Sequence, residues 1–307
     1  MSQPATSSSA LILDGSDITL EQLIDVAEGR REVRLTSDAA FRARIEAGPA
    51  LLERLLEEEG VVYGVTTGYG DSVTRAVQGA EDLEALPRHL YTFHGCGMGA
   101  DLDVVSSRAG VMVRLVSLCR GVSGVSMALL ERLVWLLNHD ILPRIPEEGS
   151  VGASGDLTPL SYVAAVLCGE REVWVRPGAG QPHALRPTAE VFAAHGLTPY
   201  VLRPKEGLAL MNGTAVMTAL AALAYGRTCY LSRLSARITA LSVQALEGNP
   251  YHFDADLFAA KPHPGQARVA QWLRDDLAHP AAPEVDATPI NSPRLQDRYS
   301  TRCAPHV

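Results

Sequence analysis

A glycine-rich polar segment with the sequence GSVGASGDLTPL, residues 149–160, holds the group best suited to covalent chemistry, the hydroxyl of Ser154. A serine nucleophile at a hydrolase elbow requires the pattern G-x-S-x-G. The surrounding string GASGD lacks the last glycine of that pattern, so the hydrolase interpretation fails. The structural alternative is a flexible loop in which Asp156 caps the next helix and Pro159 lies in its first turn.

The loop YGVTTGYG at residues 63–70 contains a second reactive group, the phenol of Tyr63. Its structural alternative is a plain glycine turn, and a phosphate-binding loop is excluded because the G-K-[ST] ending is missing. A phenol with an ordinary pKa of about 10 is a poor base at neutral pH. A basic role for Tyr63 would therefore need surroundings that stabilise the phenolate.

Two later blocks add polar groups of other kinds. The string KEGLALMNGT at residues 205–214 contains Asn212, a residue that in isolation is more typical of a hydrogen-bonded polar group within a helix. The string QDRYSTRCAP at residues 296–305 contains Tyr299 and Arg302, which one helical turn would place on the same side. Arg302 suits a carboxylate because its planar fork binds both oxygens, and a surface salt bridge is the structural alternative.

Together, in chain order, these four blocks resemble the signature of the histidine, phenylalanine and tyrosine ammonia-lyases and the related 2,3-aminomutases. The resemblance extends from about residue 11 to the end, and family members continue into a further helical region. It implies a mainly α fold of the fumarase/aspartase-like ammonia-lyase type, a long-helix bundle with a smaller mixed N-terminal region. We therefore interpret the chain as the N-terminal portion of such a protein: a flexible start (1–10), a catalytic region (11–206) and a truncated helix bundle (207–307).

The resemblance implies a prosthetic group, 4-methylideneimidazole-5-one, formed from Ala153, Ser154 and Gly155 by backbone cyclisation and loss of water. The residue types suit that reaction. Gly155 has no side chain to hinder its amide nitrogen, and Ser154 can eliminate its hydroxyl. Gly149 and Gly152 permit the tight turn that would favour ring closure. No external cofactor and no metal are then expected.

The resemblance also implies roles for the other blocks. It makes Tyr63, Asn212 and Tyr299 catalytic, with Asn212 beside both the prosthetic group and the substrate carboxylate. In the family reaction the electrophile captures the substrate amine while Tyr63 takes the β-proton. Arg302 would clamp the carboxylate, and Gly70 would line the substrate site.

Phe93 and His94 are predicted to face the substrate ring, because the resemblance places two such residues on the helix after the tyrosine loop. A bulky Phe93 favours a flat aryl ring. His94 can bond a phenol oxygen, which favours tyrosine over phenylalanine, since a buried donor facing a bare ring goes unpaired. Histidine lyases also carry a histidine here, so a histidine substrate stays open. The structural alternative is that both side chains simply pack the bundle.

Composition narrows the class of protein. With 307 residues, 47% of them hydrophobic and 20% charged, the chain is typical of a folded soluble protein. A formal net charge of −8 argues against a nucleic acid partner. Five dispersed cysteines without a C-x-x-C pair predict reduced thiols. The absence of a signal peptide or long apolar run predicts a cytoplasmic protein that does not interact with membranes.

Apolar spacing predicts mostly helices. A capping box at residues 19–22 begins the first helix. A small hairpin or an excursion from the helical pattern is expected over 172–198. Further helices are expected at residues 37–59, 104–119, 125–139 and 157–168. The longest pattern, residues 207–247, contains no proline and predicts one continuous buried helix. The resemblance implies a homotetramer with shared active sites, and the apolar pattern, which one short chain could hardly cover, supports that expectation.

The predicted function is thus ammonia elimination from, or a 2,3-amino shift on, an aromatic L-amino acid, with tyrosine favoured and phenylalanine next. Histidine ammonia-lyase is the alternative among enzymes. A non-catalytic subunit of a helical assembly is the alternative from another class. The sequence leaves lyase and aminomutase open, because the difference lies in whether the product is released.

Overall fold

The computed structural model describes residues 9–74, 80–152, 154–178, 180–278, 288 and 296–306. Ala153, the first residue of the predicted prosthetic tripeptide, lies outside these ranges. The chain divides into two compact units, Met1–Leu223 and Ala224–Val307, which are described separately. The domain boundary near residue 206 stays a prediction.

The first unit begins with a small β-α-β arrangement. Strand β1 (Leu11–Leu13) pairs in parallel with β2 (Val33–Leu35), and helix α1 (Leu20–Ala27) connects them. The predicted capping box is confirmed, because the Thr19 side chain accepts from the backbone of Gln22 and the Gln22 side chain accepts from the backbone of Thr19. This reciprocal pair satisfies two donors at the helix start.

Five longer helices follow and form most of the core. Their bounds are α2 Ala39–Glu58, α3 Ala80–His94, α4 Val104–Leu118, α5 Met127–Asn138 and α6 Leu157–Leu167. The four helices predicted between residues 37 and 168 are confirmed within two residues at each end. Helices α4 and α6 are buried almost all round, as expected for central members of a helical core.

Short strands join these helices at their ends. The paired elements are β3 (Met98–Asp101) with β5 (Pro146–Glu148), and β4 (Leu142–Pro143) with β6 (Glu172–Val175) and β7 (Ala184–Pro187), all antiparallel. Strands β6 and β7 confirm the hairpin expected over 172–198, and α7 (Thr188–Ala194) follows it. The mainly α fold with small mixed parts is therefore as predicted.

The prediction of one helix over residues 207–247 is wrong. The chain forms α8 (Glu206–Met211), leaves helical geometry at Asn212 with ψ 104°, and resumes as α9 (Ala215–Ala245). The reason is tertiary: the Gly213 carbonyl accepts from the backbone of Asp156 at 2.7 Å instead of serving a helix. A contact with a distant loop therefore overrides a local apolar pattern.

The second unit contains the rest of α9 and a small helical cluster. Its further elements are a 3₁₀ turn at Pro250–Phe253, then α10 (Ala255–Ala259), α11 (Pro264–Leu277) and α12 (Tyr299–Arg302). Phe253 and Leu273 pack with small residues of α9 to form its core. Within the described ranges, no helix is both long and apolar enough to cross a membrane.

Candidate active site

A tight left-handed turn forms the centre of the candidate site. Gly152, Ser154 and Gly155 have φ values of 73°, 60° and 92°, and the Gly155 N–H donates to the Gly152 carbonyl at 3.3 Å. A serine at positive φ is strained, since only glycine adopts this conformation freely. The Gly155 N–H bond to the Gly152 carbonyl is the i to i+3 bond of a tight turn, so the chain reverses direction here.

Gly155 lies directly against Gly213. The two residues form an isolated parallel β-bridge, and a methyl group at Gly155 would lie 2.5 Å from the Gly213 nitrogen and 2.6 Å from its carbonyl carbon. No side chain can occupy that space without moving the backbone. The contact brings the loop at residues 149–160 and the block at residues 205–214 together.

Ser154 and Asn212 also meet. The Ser154 hydroxyl donates to the Asn212 side-chain carbonyl oxygen at 2.6 Å, although 58 positions separate the two residues. Ser154 is exposed, so its hydroxyl is reachable from solvent. Asn212 can adopt this position because the helix is interrupted there. The helix break and the hydroxyl contact are therefore parts of one arrangement.

The buried carboxylate of Asp156 links the turn to the start of α9. Only 1% of Asp156 is exposed, and its carboxylate accepts from the Ser150 hydroxyl at 2.7 Å and the Met217 N–H at 2.8 Å. The expectation that Asp156 caps α6 is wrong, since its side chain makes no cap bond there. It caps the first turn of α9 instead, where a negative charge is favoured by the helix dipole.

The tyrosine loop packs beside α8. The Tyr63 hydroxyl accepts from the Gly70 N–H at 3.1 Å, and about half of Tyr63 is exposed. A methyl group at Gly64 would lie 2.8 Å from the Leu208 side chain, so the loop rests directly on the helix that leads to the break. Burial, with a smaller contribution from Tyr63, raises the pKa of Tyr69 to about 12. Among described residues, no hydrogen bond joins Tyr63 to the turn.

Phe93 and His94 end helix α3, which packs against α6 and α8. Their rings meet edge to face with centroids 5.1 Å apart, and 79% of Phe93 is exposed. Burial lowers the pKa of His94, so the imidazole is favoured in its neutral form. A neutral imidazole can donate from one nitrogen and accept at the other.

Tyr299 and Arg302 lie in the second unit, on α12. The Arg302 guanidinium carbon is 4.4 Å from the Tyr299 ring centroid, which confirms that one helical turn places them on the same side. The Arg302 Nε–H donates to the Asp297 carbonyl at 3.1 Å. Tyr299 is 74% exposed.

Sequence reasoning missed one charged residue near the turn. Arg114 on α4 is 4% exposed, and a methyl group at Gly213 would lie 3.2 Å from its guanidinium carbon and closer to one nitrogen. Burial lowers the pKa of Arg114 to about 10. The available signal was a single arginine in the apolar string GVMVRLVSL, a pattern that does not say which way the side chain points.

Comparison with known proteins places the chain in a family. The family model described as aromatic amino acid lyase matches residues 18–307. This chain belongs to the aromatic amino acid lyase family.

Within the described ranges, no group of three or more His, Cys, Asp or Glu side chains is arranged to hold a metal ion.

Individual relatives include both lyases and aminomutases. The chain is 38% identical to histidine ammonia-lyase of Bos taurus over 97% of its length and 44% of that protein. It is 40% identical to histidine ammonia-lyase of Anaeromyxobacter dehalogenans (strain 2CP-C) over 97% of its length and 58% of that protein. Tyrosine aminomutase from Streptomyces globisporus superimposes with a TM-score of 0.82 at 35% identity, covering 97% of this chain and 57% of the other. The chain thus spans about half the length of these relatives.

Proposed function

We propose that this chain forms a methylideneimidazolone from residues 153–155 and serves an enzyme that removes or shifts the amine of an aromatic L-amino acid. The observation that carries the proposal is the Ser154 hydroxyl bound to Asn212 within a left-handed turn. Ser154 is the residue whose hydroxyl must leave, and Gly155 supplies an amide nitrogen already folded back toward Gly152. The tight turn and the bound hydroxyl both support formation of the ring from residues of this chain.

The prosthetic group would supply an electrophile for the substrate amine. Residues of this chain would transfer the proton and bind the substrate. Tyr63 would accept the β-proton, and its exposed hydroxyl is oriented by the Gly70 N–H. Asn212 would hold first the serine hydroxyl and later polar atoms of the substrate. Tyr299 would have a catalytic role, and Arg302 would bind the carboxylate of the substrate.

Tyrosine is the substrate we favour, because Phe93 offers an aryl contact and the neutral His94 ring offers a hydrogen bond to a phenol. The similarity to tyrosine aminomutase structures supports the same choice. Histidine is the second candidate, and a specific observation favours it: relatives 37–40% identical to this chain are named histidine ammonia-lyases. The comparison of the two substrates is therefore part of the test.

We further propose a cytoplasmic homotetramer. The part of α9 in the second unit carries a row of exposed large apolar side chains, namely Tyr225, Tyr230, Leu231, Ile238 and Leu241. Large exposed apolar surfaces commonly mark protein–protein interfaces, and symmetric copies are the commonest partners. A monomer at micromolar concentration, measured by light scattering on full-length protein, would contradict this assembly.

The decisive experiment measures mass and product on full-length protein. The wild type should be lighter than its sequence mass by two water molecules, whereas Ser154→Ala should not lose both. Ser242→Ala is the matched control, because its hydroxyl bonds the Ile238 carbonyl within α9 and should leave the mass loss intact. A wild-type mass equal to the sequence mass would overturn the proposal. Incubation with tyrosine, phenylalanine and histidine then ranks kcat/KM and separates arylacrylate from β-amino acid products.

A further inference from the structure

Arg114 is a buried cation for which no described residue supplies a counter-charge. It is 4% exposed, and its Nε has no hydrogen-bond partner among the described residues. Burial lowers the pKa of its guanidinium, and no carboxylate of the described chain pairs with it to offset that effect. An unpaired charge in the interior is costly, so its retention calls for a compensating role.

The neighbouring arginine on the same helix provides a contrast. Arg108 is equally buried at 5%, but it forms an ion pair with Asp140 and donates to the Ala27 carbonyl at 3.1 Å. Those partners make Arg108 a structural group that ties α4 to α1 and to the chain just after α5, although its Nε, like that of Arg114, has no hydrogen-bond partner among the described residues. Arg114 has no equivalent explanation in the packing of the first unit.

The position of Arg114 points to the turn. Its guanidinium lies against Gly213, where a methyl group would overlap one of its nitrogens. Gly213 is the residue that bridges Gly155, and its carbonyl accepts from the Asp156 N–H at 2.7 Å. One peptide therefore lies between the buried charge and the residue whose nitrogen must close the ring.

Ring closure builds up negative charge at this place. The Gly155 nitrogen bonds to the carbonyl carbon of residue 153, and that carbonyl oxygen leaves as water with the Gly155 and Ser154 N–H hydrogens. The Ser154 hydroxyl leaves as a second water with its own Cα hydrogen. An amide nitrogen that loses its proton and a carbonyl oxygen under attack both carry developing negative charge, which a fixed nearby cation stabilises most strongly where water is excluded.

We propose that Arg114 is a positioning residue for ring formation, whose unpaired charge holds the Gly213 peptide against Gly155 and favours the negative charge that develops on the closing backbone. The inference rests on the proposed formation of the ring from residues 153–155. It assigns to α4 a part in maturation that the substrate-contacting residues do not share, because Arg114 is too buried to touch substrate.

The test follows ring formation itself, by intact mass at timed intervals after cell-free synthesis of the full-length chain. Arg114→Met, which keeps an apolar stem without charge, should slow the loss of two waters on the order of tenfold or more. Arg114→Lys keeps the positive charge, so its ring should form at nearly the wild-type rate. Arg108→Met is the matched control: it should lower Tm through loss of the ion pair with Asp140 and of the hydrogen bond to the Ala27 carbonyl, yet lose both waters on the wild-type schedule.

The outcomes separate the two proposals. A wild type that loses no water refutes the proposed function, whereas a folded Arg114→Met that closes as fast as wild type refutes only the role of Arg114. If Arg114→Met does not accumulate as folded protein, Arg114→Gln replaces it, since it keeps donors without charge. Arg114→Lys closing tenfold more slowly at unchanged Tm would also overturn the inference, because charge alone would then not suffice.

Discussion

Replacing Gly155 by alanine would test whether the turn is held by contact with Gly213. Gly155 and Gly152 share the left-handed region, with φ values of 92° and 73°. They differ in the space around them: a methyl group at Gly155 would lie within 2.6 Å of Gly213 backbone atoms, whereas nothing lies within 4 Å of one at Gly152. Gly152→Ala is therefore a matched control that carries the backbone cost without the collision.

The expected magnitudes follow from these two differences. A left-handed alanine costs about 1–2 kcal/mol, which applies to both variants. Overpacking against a neighbour that cannot withdraw adds about 1–3 kcal/mol, which applies to Gly155 alone. Gly213 cannot easily withdraw, because its carbonyl is bound by the Asp156 N–H. The free energy of unfolding should fall by about 1–2 kcal/mol for Gly152→Ala and by about 2–5 kcal/mol for Gly155→Ala.

The assay is chemical denaturation of both variants in a Ser154→Ala background, in which the ring cannot be completed and only packing is measured. Where unfolding is irreversible, Tm at a fixed heating rate serves instead. Equal losses for the two alanine variants would refute the reasoning, because they would show that Gly155 has no close contact with Gly213 in the folded protein.

Three further predictions concern groups around the turn. Asp156→Asn should lower the free energy of unfolding by about 2–3 kcal/mol, because the carboxylate accepts from Ser150 with one oxygen and from Met217 with the other, whereas an amide has only one accepting oxygen; denaturation of the variant checks this. Asn212→Ala should slow the loss of two waters by about tenfold, because the Ser154 hydroxyl loses its acceptor, whereas Asn212→Asp should not; timed intact mass distinguishes them. Burial lowers the pKa of His94 below its ordinary 6.5, so its contribution to stability is complete above about pH 6.5 and is lost as pH falls through the native value. Unfolding measured between pH 8 and 5 should show this loss in wild type and less of it in His94→Gln, and identical profiles would contradict it.

Helix positions can be predicted from the sequence where a local pattern of residues determines the structure. Helices α4, α5 and α6 follow from apolar spacing, and the start of α1 follows from its capping box. The meeting of Ser154 with Asn212 could be anticipated only through resemblance to a family, because no local rule links residues 58 positions apart.

Other features could not be predicted, for physical reasons that the structure makes plain. The break at Asn212 contains no proline and arises from bonds to Asp156, which belongs to a distant loop. Asp156 precedes α6 and was expected to cap it, yet it caps α9, since a carboxylate serves whichever free N–H groups tertiary packing brings close. The burial of Arg114 is equally hidden, because in a helix buried all round periodicity does not identify an inward side.

The long separation between Ser154 and Asn212 has a consequence for how the protein could be followed in the cell. Bringing these residues together requires the intervening chain to be folded first, since closing so long a loop is entropically unfavourable without the packing that supports it. Water loss that is accelerated by this meeting should be slower in a nascent or misfolded chain, and once it has occurred later unfolding does not reverse it. The mass of each molecule would then keep a record of folding that persists after the molecule unfolds.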